Sequence, residues 1–171
     1  MIFDLVNQDG ETIRTLDTLK YFSIDLNNND FGHFAIFQLN DRQGFYAINS
    51  QEEILFHVFN ISIGEPNPDY LIENKIRIID ESGRIGFANQ KGEIVIEPQF
   101  EMVTSFFENK AIFGVGCKIA YLHKSEKETE FNHTKIQCSQ YGYINENGKV
   151  MEIGDYSFEQ IVDKIQWRPT I

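Results

Sequence analysis

The residues best suited to metal or nucleophilic chemistry in this chain are Cys117 and Cys138 and the histidines at 33, 57, 123 and 133. No two histidines stand in HxH or HExxH spacing, and the cysteines do not form a CxxC pair. His123 and His133 could face each other near Cys117 and Cys138, and such a set would suit zinc, but the close ligand pairs typical of zinc sites are missing. A nucleophilic triad needs Ser or Cys beside His with an orienting carboxylate, and neither GxSxG nor a glycine-rich phosphate loop is present. Asp25-Leu26-Asn27-Asn28-Asn29-Asp30 has oxygen donors at alternate positions, as a calcium loop requires. Its sixth residue is Asp30 rather than glycine and its twelfth is Ile36 rather than Glu, so it reads as a polar turn. The adjacent acids Glu52 and Glu53 would point to opposite faces of a strand and cannot share one substrate. The expectation is a protein that is not an enzyme, with no catalytic residue, cofactor site or metal site.

Such residues need a scaffold, and composition bounds it. The chain has 171 residues, enough for one domain with a core. Fifteen Phe and seven Tyr, with abundant Ile, favour strands over helices. The net charge of -11 disfavours nucleic acid as a partner, since no basic patch offsets it, and leaves another protein, possibly a basic one. Two isolated cysteines predict reduced thiols, although they could pair. The start MIFDLVNQDGE lacks a basic and then apolar leader, and no apolar run is long enough to span a membrane. A cytoplasmic location and no membrane partner follow as expectations.

Internal repetition carries the strongest signal. GFANQKGEIVI at 86–96 is echoed by GYINENGKVM at 142–151 and, more weakly, by FDLVNQDGETI at 3–13. Each reads as strand, turn, strand, with Gly92, Gly148 or Gly10 where a positive φ is needed. A fourth copy at 44–56 has Glu52 in place of the turn glycine, so that turn is expected to differ. Pro98 should stop the returning strand, because it has no N–H to donate. Glu73-Asn74-Lys75 and Glu108-Asn109-Lys110 each lead into an apolar stretch that reads as a third strand. An inserted hairpin is expected near 117–139, and a short helix is predicted over 158–165 from apolar residues at 158, 161, 162 and 165, with Ser157 as N-cap and Gln160 at N3. Phe100, Phe106, Phe107, Phe113 and Phe158 recur at related positions and read as core.

The order glycine, aromatic, apolar, Asn-x-x-Gly, two apolar residues, an aromatic, then a Glu-Asn-Lys step resembles the WG-repeat (KWG-repeat) family. It is best matched at 84–116, next at 140–165 and loosely over 1–83. The signature Trp is missing: Ile85, Tyr141 and Gln43 precede the glycines. The resemblance implies a bacterial interaction module without shared chemistry. The fold expected is all-β: one domain of about four two- or three-strand antiparallel repeats (1–40, 41–83, 84–139, 140–171) stacked as an open curved array, with a short C-terminal helix. The function expected is a non-catalytic protein-binding module; the alternatives are an immunity or inhibitor protein neutralising a basic toxin, and a metal-dependent enzyme. Candidate binding residues are Tyr121, His123 and His133 around the insertion, and Trp167 and Arg168, where Trp167 is either a lid on the last unit or part of a contact surface.

Overall fold

A computed structural model describes residues 1–25, 32–62, 65–121 and 134–169. The described chain is antiparallel β with one short helix. In chain order the strands are β1 Asp4–Val6, β2 Thr12–Thr15, β3 Tyr21–Ile24, β4 Ala35–Leu39, β5 Arg42–Ile48, β6 Ile54–Val58 and β7 Lys75–Ile79. They continue as β8 Ile85–Asn89, β9 Ile94–Phe100, β10 Met102–Val103, β11 Lys110–Tyr121, β12 Thr134–Asn145 and β13 Val150–Gly154, followed by α1 Phe158–Ile165. Strands β3 to β9 form a seven-stranded sheet in sequential order, β10 to β13 a four-stranded sheet, and β1 and β2 a separate hairpin. Every neighbour is the next strand in sequence, so the whole array is an open meander. The chain passes from the larger sheet to the smaller at Glu101, the single residue between β9 and β10.

One device builds each repeated hairpin. The side-chain oxygen of Asn89 accepts from the N–H groups of Lys91 and Glu93 at 2.9 and 3.0 Å, and the Gly92 N–H donates to the Asn89 carbonyl at 3.0 Å. Asn7, Asn49 and Asn145 do the same to the residues two and four positions on. A matching bulge follows each turn. Val6 pairs with Thr12 but Leu5 with Arg14; Ile48 with Ile54 but Ala47 with Phe56; Ala88 with Ile94 but Phe87 with Ile96; Ile144 with Val150 but Tyr143 with Glu152. The residues passed over are Ile13, Leu55, Val95 and Met151, each six positions after its turn Asn. A bulge puts two residues opposite one, which is why two apolar residues stand side by side there without breaking the inward pattern.

The structure corrects three expectations. The turn at Glu52 does not differ: Glu52 takes the left-handed conformation of the glycines, φ 65 against 80 to 82 for Gly10, Gly92 and Gly148. Its strain is offset by contacts with the first unit. Its carboxylate accepts from the Asp17 N–H at 3.0 Å and the Tyr21 hydroxyl at 2.9 Å and pairs with Arg14 at 3.0 Å. Burial alone would raise the Glu52 carboxyl, but those hydrogen bonds and the charges of Arg14 and Lys20 win and hold it below the ordinary value. Second, Pro98 interrupts the ladder but does not end the strand: it lies inside β9, between the pairs Phe87↔Ile96 and Ile85↔Phe100, where the register shifts and residues 97–99 are passed over. The arms of the expected insertion do pair, Lys118 with Gln137 through Tyr121 with Thr134, and they continue the β11–β12 ladder that starts at Lys110↔Asn145. Third, Cys117 and Cys138 are joined as a disulfide rather than reduced. The register sets them directly opposite, with Cα atoms 3.8 Å apart, which depended on how far those two strands extend.

Glycine at the head of a unit has a packing cause. A Cβ on Gly86 would lie 2.4 Å from the Ile96 carbonyl oxygen, and one on Gly142 would lie 2.0 Å from that of Glu152. The returning strand crosses there at backbone distance. Phe100, Phe106 and Phe113 are buried in the core of the third unit, as expected, whereas Phe107 and Phe158 are half-buried. The calcium-like segment falls almost wholly outside the described residues.

Candidate functional site

The two sheets enclose an open cavity of about 430 Å³ near the Glu101 crossing. Strand β7 supplies one wall. Its Ile76 and Ile78 point into the core, which turns Arg77 and Ile79 to the other side. Arg77 is held on the floor by Asp69, whose side chain is 2% exposed. The Arg77 backbone N–H and Nε donate to Asp69 Oδ2 at 2.8 and 2.9 Å, and Nη2 donates to Oδ1 at 3.0 Å. Nη1 donates to the Val103 carbonyl at 3.2 Å, tying the larger sheet to β10, and the guanidinium lies 4.9 Å from the Phe59 ring centre. The Arg77–Asp69 pair cancels on the floor, Glu101 adds one carboxylate, and the rest of the lining is mainly apolar, including Ile72, Met102 and Tyr70.

The helix brings the last wall. Helix α1 starts at the predicted capping box: Ser157 Oγ accepts from the Gln160 N–H at 3.1 Å, and Gln160 Oε1 accepts from the Ser157 N–H at 2.8 Å. Ile161 is buried against Ile112, Tyr141 and Cys138. Lys164 pairs with Glu152 at 2.6 Å, and the Tyr156 hydroxyl donates to the same carboxylate at 2.6 Å. The lysine and tyrosine bonds hold the Glu152 carboxyl below its ordinary range, while the same carboxylate raises Lys164. Glu152 stands where the third unit has the buried Ile96, so the last unit exchanges an apolar contact for an ionic clasp on the helix. With α1 fixed, Trp167 packs on Phe158 at 6.1 Å between ring centres, donates from Nε1 to the Ser105 carbonyl at 3.0 Å and borders the cavity. It is both lid and lining.

Of the residues proposed from sequence, Trp167 is at this site and Arg168 is exposed beside it. Tyr121 ends β11 opposite Thr134, and His123 and His133 lie outside the described residues. Sequence reading missed Asp69, Arg77, Tyr70 and Met102. The Ile-Arg-Ile-Ile run of β7, with a charge alternating against buried apolar residues, was the one available signal. Among the described residues no group of three or more His, Cys, Asp and Glu is placed to hold a metal ion, and no helix is long and apolar enough to cross a membrane.

No curated protein and no solved structure matches the chain. Residues 85–116, which run from β8 through β9 and β10 into β11, match the family model of the WG containing repeat. That match lies in the third unit, and the same turn and bulge recur in the units around it, so the repeat is similar to the WG containing repeat over residues 85–116.

Proposed function

We propose that this chain is a non-catalytic protein-interaction module and that the cavity at the Glu101 crossing is its contact site. The observation that carries the reading is the position of Trp167, an aromatic ring pinned at the rim of an apolar groove between two sheets. Aromatic anchors beside desolvated pockets dominate the energetics of protein contacts. The volume of about 430 Å³ suits one or two apolar side chains of a partner. A second reading, an inhibitor that neutralises a basic toxin, draws on the net charge of -11.

The test is capture from native lysate by the wild-type chain and by Met102→Glu, which places a charge in the groove lining. Partners retained by the wild type and lost by the variant support the reading. Equal recovery by both chains would show that the groove is not the contact site.

A further inference from the structure

The groove has a second compartment. A cavity of about 270 Å³ adjoins the first, and Gly83, Glu101 and Ile136 line both. Its other lining residues include Arg84 on the β7–β8 connection and Lys118 on β11, both exposed. The ion pairs among the described residues are Arg14–Glu52, Arg42–Asp41, Arg77–Asp69, Lys135–Glu159 and Lys164–Glu152, so neither Arg84 nor Lys118 has one. The one acid lining this compartment, Glu101, accepts from the Gly116 N–H at 2.7 Å and keeps its negative charge there. Asp80 and Glu81 are further acids on the β7–β8 connection beside Arg84. Asp80 accepts from the Ser82 hydroxyl and from the Ser82 and Arg84 N–H groups, and it offsets Arg84 in part.

Resting on the reading of the groove as a contact site, we propose that its occupant is an acidic segment of another protein. An apolar side chain seats against Met102 and Trp167, and the carboxylates beside it meet Arg84 and Lys118. Within the lining Arg84 and Lys118 outnumber Glu101, an excess that Asp80 and Glu81 on the adjoining connection reduce, whereas the whole chain is acidic. The -11 total repels an acidic segment at long range, but at physiological salt the Debye length is about 8 Å, so charges in contact decide. The long-range field then slows encounter without setting which segment is held.

Three fluorescein-labelled seven-residue peptides test this, each with a central Ile-Phe flanked by glutamates, by glutamines or by lysines. Anisotropy titrations in about 150 mM salt should give the glutamate peptide an affinity about 10-fold above the glutamine peptide, with the lysine peptide weakest. The preference should vanish in the double variant Arg84→Ala/Lys118→Ala, whose exposed, unpaired side chains leave the fold untouched. If the glutamine or lysine peptide binds as well as the glutamate one, or the double variant keeps the preference, the acidic assignment is wrong and the groove reading stands. If none of the three binds below about 1 mM, the groove reading falls and takes the assignment with it.

Discussion

Replacing Asp69 by Ala should be among the most damaging single changes available in this protein. Asp69 is 2% exposed and accepts three hydrogen bonds, all from Arg77. Without it the guanidinium remains under Phe59 with 16% of its side chain exposed and no counter-charge. Removing one partner of a buried pair costs about 3 to 5 kcal/mol, and the residual access of Arg77 to water places the expected loss near about 3 kcal/mol. That is a factor of more than about 100 in the folding equilibrium. Replacing both residues with apolar ones, Asp69→Leu with Arg77→Met, should recover most of it, because the cost lies in the orphaned charge rather than in the lost attraction. Urea unfolding followed by the fluorescence of Trp167, the only tryptophan, reads both variants. A loss below about 1 kcal/mol for Asp69→Ala, or a double variant as weak as the single one, would refute the account of the groove floor.

Three further outcomes follow. Glu52→Gly relieves about 1 kcal/mol of backbone strain but removes two hydrogen bonds to a charged group, for a net loss of about 1 to 2 kcal/mol in urea unfolding. Because the folded Glu52 carboxyl sits below its ordinary value of 4.5, the stability it contributes is present above that pH and should fade as the pH drops below it. That acid sensitivity should be smaller in Glu52→Gln. Gly142→Ala, whose Cβ would meet the Glu152 carbonyl oxygen at 2.0 Å, should cost about 3 kcal/mol; Gly83→Ala, strained in φ but in open space, should cost about 1 kcal/mol. Reducing the Cys117–Cys138 bond, which spans 21 positions, should lower stability by roughly 3 kcal/mol, read as a fall in Tm with added phosphine reductant.

The turn and the helix were legible because each depends on neighbours in sequence, whereas the bulge after each turn was not read from the sequence. Asn89 reaches only to Lys91 and Glu93, and Ser157 only to Gln160. Glu52 was misread because its left-handed backbone is offset by Arg14, Asp17 and Tyr21, more than thirty positions away. The same holds for the groove. Asp69, Val103 and Trp167 meet around Arg77 and Ser105 only once the chain has crossed between sheets. The disulfide was hidden for a related reason, since its pairing followed from the full length of the β11–β12 ladder. Spacing within a unit carried the fold; contacts between units carry the site.

Cross-strand nuclear Overhauser contacts test the repeated architecture most directly. The account predicts Phe87 opposite Ile96 with Val95 passed over, and Tyr143 opposite Glu152 with Met151 passed over, together with the matching pattern at Leu55 and Ile13. Regular one-to-one pairing through Val95 or Met151, or different registers in the two hairpins, would contradict it.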